Sequence, residues 1–274
     1  MAAFELLRTP DEMKAGELAQ ALEKSNFERQ TTTRAIQTRA AEIALAGAPD
    51  AYLIFAADPE FKEGIVGLAA ARLMEMYYRP AVVAHLGEKE TRASCRSIPE
   101  FHITEALDRC SDLLVRYGGH RAAAGFTVRN ENLPALVDRL QAIANEILSG
   151  KDLQPILRIE NELQLAHQSG EDLKQILLDI AKLQPTGIGN PEPLFCSRNL
   201  AVRRAQAVGK DQSHLRLTVA DSRGVLYNGI AFRQGEWALR KPDRVDLVYA
   251  LEINDYQGQQ SLQLNIKDIQ AVAG

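Results

Sequence analysis

The spacing of apolar residues divides the chain into three stretches. Over residues 1–49, apolar side chains recur at helical intervals among Glu, Lys, Arg and Gln, which predicts one or two long, polar connecting helices. Over 50–150, short apolar runs alternate with helical patterns, which predicts an α/β domain with a mixed sheet. Over 151–274 a two-residue period dominates, as at Leu215 and Leu217, and about five such strands favour a small β-barrel.

A glycine pair near the middle of the second stretch follows a segment with helical periodicity. Residues 104–117 are predicted to form a helix that ends at Gly118 and Gly119, since glycine commonly terminates helices. A strand over 125–128 and a helix over 133–148 are expected to complete this domain.

Composition indicates a globular protein without an overall attraction for polyanions. The 274 residues are 46% hydrophobic and 25% charged, and the net charge is −4, so any site for a polyanion must be a local patch. The sequence shows no apolar run of membrane-spanning length, and charged residues interrupt the region where a signal peptide would need an apolar core. Three widely separated cysteines fit a reducing compartment. We therefore expect a cytoplasmic protein with no membrane partner.

The strongest candidate for chemistry is the sequence Gly118-Gly119-His120. Two glycines free the backbone to approach a ligand closely, their amide groups can hold phosphate oxygens, and His120 adds a donor. The alternative interpretation, which the pattern alone favours, is a glycine helix cap followed by a histidine that satisfies a neighbour.

A second candidate is the short run Ser94-Cys95-Arg96-Ser97. On a strand, Ser94 and Arg96 would share one face, where the guanidinium could clamp a phosphate beside a serine hydroxyl. The alternative is a surface arginine flanked by small polar residues. Cys95 is not expected to be a nucleophile, because the sequence fixes no base beside it.

Metal chemistry is not expected within this chain. The five histidines are scattered, and neither a DHH motif nor a histidine pair at metal-ligand spacing occurs. A metal-dependent hydrolase needs several converging carboxylates and imidazoles. The sequence therefore predicts no metal site of its own.

Several of these motifs, in this order, resemble one known family. Gly118-Gly119-His120 with Ala123-Ala124-Gly125 is similar to the GGHxxAAG signature of the DHH-associated domain, which accompanies the DHH phosphoesterase domain in nucleases. The run Ser94–Ser97, the loop Gly187–Pro193 and the alternating tail His214–Asp268 are similar to the RecJ family of bacterial exonucleases specific for single-stranded DNA. The resemblance covers nearly the whole chain.

Two departures from the family pattern change what the resemblance implies. Phe61-Lys62 stands where the family usually has a Trp-His pair, just before the helix expected from Gly64. The family's metal-binding DHH domain would precede the connecting helix of residues 1–49 and is missing from this sequence. The chain is therefore expected to be a C-terminal fragment that is inactive on its own.

The resemblance implies that the parent protein is a 5′-to-3′ exonuclease of DNA repair and recombination. Its cofactor would be Mn²⁺ or Mg²⁺, which this chain alone is not expected to bind. His120 would line the cleft that faces the catalytic domain. The implied phosphate-binding residues are Ser94, Arg96, Ser97, Gly118, Gly119 and His120. The implied partners are single-stranded DNA, a single-strand-binding protein and a helicase, and the implied state is a monomer.

The barrel segment, 151–274, would by the same resemblance be an OB-fold that binds single-stranded DNA. Such barrels combine a basic groove with aromatic stacking platforms. The cations expected to follow the DNA backbone are Arg203, Arg204, Lys210 and Arg216. Phe232 and Tyr249 are interpreted as barrel core rather than as stacking platforms.

Two other functions remain open at this point. The chain fits a stand-alone, non-catalytic module that binds single-stranded nucleic acid, and a DHH motif upstream in the reading frame would argue against that. It also fits a DHH-family phosphodiesterase relative that acts on small oligonucleotides. An enzyme for so small a substrate does not need the barrel, which argues against this second alternative.

Overall fold

The computed structural model divides the chain into two compact units, which span Met1–Pro155 and Ile156–Gly274. The residues that the structure describes are 1–47, 50–187, 189–240, 242–256 and 258–272. Residues 48 and 49, at the predicted end of the connecting helix, lie outside this part of the chain. So does Ile188 in the Gly187–Pro193 loop.

Two helices open the first unit: α1, Ala2–Arg8, and α2, Glu12–Gly47. The Asp11 carboxylate accepts two backbone N–H groups of the first turn of α2, at 2.9 and 3.2 Å, and so caps this helix. Among its described residues only Ile36 and Ala40 are buried. The polar stretch thus forms a short helix followed by one long helix. No described helix is long and apolar enough to cross a membrane.

The sheet of the first unit has five strands. In chain order they are β1 (Ile54–Asp58), β2 (Ala81–Leu86), β3 (Glu90–Arg96), β4 (Leu114–His120) and β5 (Ala123–Arg129). Their spatial order is β1-β2-β3-β5-β4. The pair β1–β2 is parallel and the other pairs are antiparallel, which confirms the predicted mixed sheet.

Helices cover the two faces of this sheet unequally. The remaining helices of the unit are α3 (Glu63–Tyr77), α4 (Ile103–Asp108) and α5 (Leu133–Leu148). Buried residues of α4 and α5 share one core with β2, β3 and β5. On the other face α2 and α3 pack over β1 and β2, whose residues supply that core. No described helix of this unit covers the second face over β4 and β5, and that part of the sheet is called the open face.

The prediction of a helix over 104–117 is wrong. The helix α4 ends at Asp108, and the chain then forms β4, an edge strand that pairs with β5. Val115 and Tyr117 favour a strand, and pairing with β5 outweighs the weak helical periodicity. Gly118 and Gly119 therefore lie inside a strand and do not cap a helix.

A closed five-stranded barrel forms the core of the second unit. Before it come β6, Asn161–Glu162, and α6, Gly170–Ala181. The barrel elements are β7 (Phe195–Val208), β8 (His214–Ala220), β9 (Leu226–Ala231), α7 (Trp237–Arg240), β10 (Arg244–Tyr256) and β11 (Gln259–Ala271). The strand order is β7-β8-β9-β11-β10, and β10 pairs back to β7, which confirms the predicted OB-type barrel.

Candidate nucleic-acid interface

Strand register brings most of the predicted phosphate-binding residues onto one face of the first sheet. Ser94 on β3 and Gly118 on β4 lie on either side of Gly125 on β5. Arg96 and His120 occupy the corresponding positions in the next row, two residues further along their strands. Side chains at alternate positions of a strand project from the same face. These four residues therefore lie on the face that helices leave open.

The helix α3 forms one wall of this face. A Cβ built at Gly67 would lie 3.4 Å from Ser94 Oγ and 3.5 Å from a guanidinium nitrogen of Arg96, so this turn of α3 lies directly beside both side chains. Arg96 is partly buried there, and it donates one hydrogen bond to Cys95 O at 2.8 Å. The remaining N–H groups of its planar guanidinium are the donors suited to a phosphate.

The two neighbouring glycines have different structural roles. A Cβ at Gly119 would come within 2.5 Å of Ala124 Cα and closer still to Ala123 O, and φ is +152° there, so the hairpin itself requires glycine. A Cβ at Gly118 would meet no described atom within 4 Å. The packing of the described residues does not require glycine at Gly118, and its bare backbone leaves the surface beside Ser94 open.

The hydroxyl of Ser97, also predicted to bind phosphate, has another partner. Ser97 is buried, and its Oγ donates to Phe101 O at 2.7 Å, which fixes the loop after β3. His120 is exposed, and its backbone carbonyl accepts the Thr104 hydroxyl at 2.8 Å. Cys95 points into the core on the opposite face, where burial raises the pKa of its thiol to about 12.

Two arginines that the sequence analysis missed lie on the same face. Arg92 on β3 and Arg116 on β4 lie opposite Thr127 on β5. A groove of about 340 Å³ runs between them, floored in part by Gly118 and Gly125. Arg92 precedes Ser94 by two residues, so the two-residue period of a strand could have placed it on the same face as Ser94. No such signal was available for Arg116, because its segment was interpreted as a helix.

The barrel exposes both members of its arginine pair. A register shift between Val202 and Arg204 inserts Arg203 as an extra residue in β7, opposite β8. Strict alternation would bury one of two consecutive residues, yet Arg203 and Arg204 are both exposed. Arg204 donates to Gln206 Oε1 at 2.9 Å, and Gln206 lies opposite Arg216.

An exposed aromatic ring lies beside the loop between β7 and β8, which carries the exposed Lys210. The interpretation of Phe232 as core is wrong, because its side chain is 54% exposed, just after β9. Its ring packs edge-on against His214, with centroids 5.3 Å apart. Tyr249, in contrast, is fully buried and hydrogen-bonds Ser197 Oγ at 2.7 Å, as expected of core.

Hydrogen bonds fix the segment that presents this ring. The backbone N–H of Arg233, which has φ +61°, donates to Nδ1 of His214 at 3.0 Å. That bond makes Nδ1 an acceptor and places the proton of the neutral imidazole on Nε2. The N–H of Gly235 donates to Ser213 O at 3.0 Å. Phe232 is therefore held in position while its ring stays in water.

The described residues offer no metal site. No group of three or more His, Cys, Asp or Glu side chains in the described ranges is placed to hold a metal ion. What the two units offer is a set of oriented donors on the open sheet face and an exposed surface on the barrel.

Comparison with known proteins matches both units to described domains. The DHHA1 domain family matches residues 50–146, and the RecJ OB domain family matches residues 166–268. The single-stranded-DNA-specific exonuclease RecJ of Bacillus subtilis is 30% identical over 270 residues, which are 97% of this chain and 34% of the relative. The RecJ of Thermus thermophilus is 32% identical over 267 residues, which are 97% of this chain and 37% of the relative.

A solved structure agrees over the same length. The crystal structure of RecJ from Thermus thermophilus in complex with Mg²⁺ matches with a TM-score of 0.75 and 30% identity, covering 100% of this chain and 41% of that chain. The chain thus spans little more than a third of the length of these relatives. The chain carries a region that matches the DHHA1 domain, followed by a region that matches the RecJ OB domain, and it is similar to the RecJ proteins over this part of their length.

Proposed function

We propose that this chain is the substrate-holding part of a RecJ-like 5′-to-3′ exonuclease that acts on single-stranded DNA in repair and recombination. The observation that carries the proposal is the register of β3, β5 and β4, which gathers Ser94, Arg96, Gly118 and His120 on one open face. In this proposal the first unit holds the 5′-terminal phosphate of the strand. The barrel of the second unit binds the strand beyond it.

The open face has the chemistry that a phosphate monoester needs. Arg96 supplies a charged, planar pair of donors, Ser94 a hydroxyl, and His120 an exposed imidazole. The bare backbone at Gly118 leaves room for the phosphate between these groups. Ser97 takes no part, because its hydroxyl is already bonded to Phe101 O.

The barrel has the chemistry for a longer, sequence-independent contact. Arg203 and Arg204 on β7, with Arg216 on β8, present guanidinium groups to solvent, and Phe232 presents a ring on which a base can stack. Because the whole chain has a net charge of −4, these local contacts and not the overall field would supply the affinity.

Hydrolysis needs more than these residues provide. Solved relatives are RecJ in complex with Mg²⁺ and with Mn²⁺, whereas the described residues contain no ligand set for either ion. We infer that the metal-dependent chemistry is supplied by residues outside this chain, and that the chain alone does not cleave DNA. The proposal also includes action in the cytoplasm as a monomer, together with a single-strand-binding protein and a helicase.

The test is a binding measurement on the purified chain. Fluorescence anisotropy would compare a single-stranded oligonucleotide carrying a 5′-phosphate with one carrying a 5′-hydroxyl and with a duplex. We expect binding that favours the single strand and its 5′-phosphate and weakens as salt rises. Arg96→Ala should abolish the preference for the 5′-phosphate, and Arg109→Ala, on the opposite side of the sheet, should not. Equal affinity for all three ligands would contradict the proposal.

A further inference from the structure

The open face of the first sheet continues one row beyond the residues just assigned. Arg92 and Arg116 lie there on opposite sides of Thr127, and Arg92 is two residues from Ser94 on β3. We propose that Arg92 and Arg116 bind a second phosphate of the DNA strand, the internucleotide phosphate next to the one at Ser94 and Arg96. This proposal rests on the proposed function and assigns the path of the strand across the sheet.

The groove between the two arginines reaches Gly118 and Gly125, which lie in the same row of the sheet as Ser94. Its volume is about 340 Å³, and two glycines on neighbouring strands, Gly118 and Gly125, are among its lining residues. Ser94, Gly125 and Gly118 form the row next to Arg92 and Arg116, at the near side of the first position, and none of them carries a large side chain. A sugar–phosphate backbone can therefore pass from one row to the next without meeting a barrier.

The spacing of the rows suits neighbouring phosphates. Residues that share a face of a strand are about 7 Å apart, which is close to the separation of adjacent phosphates in an extended single strand. Arg92, Ser94 and Arg96 follow one another at this interval along β3. Arg92 is one such interval from Ser94 and two from Arg96, so a strand whose terminal phosphate lies at Ser94 would bring its next phosphate to Arg92.

Each arginine is already oriented by a partner within the unit. The Arg116 Nε donates to the Thr127 hydroxyl at 3.2 Å, which leaves its two terminal nitrogens free to point outward, and no described carboxylate forms an ion pair with it. The Arg92 guanidinium donates to both carboxylate oxygens of Glu63, at 3.1 and 3.3 Å. Glu63 opens α3, so an incoming phosphate would share or replace this carboxylate at Arg92.

The ion pair with Glu63 makes a specific prediction about affinity. A phosphate that binds at Arg92 must compete with the Glu63 carboxylate, so removing that charge should strengthen binding. Arg109 and Glu146 offer a matched control, because their ion pair, at 2.7 Å, joins α4 and α5 on the opposite side of the sheet. Arg92 and Arg109 are also similarly exposed, with 51% and 48% of their side-chain surface in water.

The experiment uses the whole chain and two short, 5′-phosphorylated oligonucleotides. One has only phosphodiester linkages, and the other has an uncharged methylphosphonate at its first linkage. We expect Arg92→Ala with Arg116→Ala to weaken binding of the first oligonucleotide about tenfold or more and to leave binding of the second unchanged. Arg109→Ala should affect both alike. Glu63→Gln should strengthen binding of the first oligonucleotide more than Glu146→Gln does.

The outcomes separate this proposal from the one it rests on. An equal loss on both oligonucleotides, or no loss on either, would overturn the second phosphate position while Arg96→Ala still removed the 5′-phosphate preference. If Arg96→Ala left the preference for the 5′-phosphate unchanged, the proposed function would be overturned instead. Thermal unfolding of each variant accounts for any effect on folding, and Glu63→Gln tests the position by a gain that misfolding cannot produce.

Discussion

Adjacent glycines in β4 provide a sharp test of which residues serve the fold and which serve the ligand. Gly118→Ala and Gly119→Ala add the same methyl group at neighbouring positions. At Gly119 the new Cβ would lie 2.5 and 2.7 Å from Cα and Cβ of Ala124, and closer still to the backbone oxygen of Ala123. At Gly118 the new Cβ would extend into the open groove without a neighbour within 4 Å in the described part of the chain.

The two substitutions should therefore have opposite consequences. Overpacking and an unfavourable backbone conformation each cost about 1–3 kcal/mol, so Gly119→Ala should destabilise the first unit by about 2–5 kcal/mol. For a unit of this size the melting temperature would fall by about 5–15 °C. Gly118→Ala should leave stability unchanged or raise it by about 0.5 kcal/mol, since alanine is the better strand residue. It should instead remove a phosphate contact of about 1.5–3 kcal/mol, which is about ten- to hundredfold in affinity.

Thermal unfolding followed by circular dichroism measures the first effect, and anisotropy with a 5′-phosphorylated oligonucleotide measures the second. We expect the stable variant, Gly118→Ala, to be the one that fails to bind. It would be refuted if Gly118→Ala lowered the melting temperature as much as Gly119→Ala does. Unchanged affinity in a folded Gly118→Ala variant would refute the phosphate site itself.

The other expectations concern the barrel, the phosphate clamp and the cysteines. Arg203→Ala with Arg204→Ala should weaken binding of long strands and reduce the slope of log affinity against log salt concentration by about 1.4. Arg96→Ala should leave that slope nearly intact and should slow cleavage in an enzyme that contains the catalytic part. Equal slopes for the two variants would contradict this division of roles. Phe232→Ala should cost about 1–3 kcal/mol of single-strand affinity without lowering the melting temperature, because the residue is already 54% exposed. Binding as tight as that of the unsubstituted chain would contradict this expectation. The native protein should not react with a thiol reagent at neutral pH, since Cys95 is buried with a pKa of about 12 and the other two cysteines are also buried, and all three should react once it is unfolded.

The sequence predicted the elements whose signals are local. The long helix α2, the helix α5 and the alternating strands of the barrel each have a clear period, and the structure confirms them. The helix prediction for residues 104–117 failed because the periodicity there was weak and the strand depends on pairing with β5. An edge strand of this kind is decided by its partner, which a local pattern does not contain.

The candidate site shows the same limit. The alternation of Ser94 and Arg96 could be read along one strand. That these residues face Gly118 and His120 follows from the register of three strands, which no local pattern encodes. The bulge that exposes Arg203 beside Arg204 is likewise a feature of pairing.

Neutral groups orient three of the arginines that face the proposed DNA path. Arg96 is tied to a backbone carbonyl, Arg116 to a hydroxyl and Arg204 to an amide oxygen. Such partners fix the guanidinium without cancelling its charge, whereas a carboxylate partner, as at Arg92, neutralises it. In a chain of net charge −4 this arrangement keeps positive charge available where a phosphate is proposed to bind. Because the side chains are held before binding, less conformational entropy is lost when the strand binds. Geometry, more than overall charge, would therefore let an acidic protein hold a polyanion.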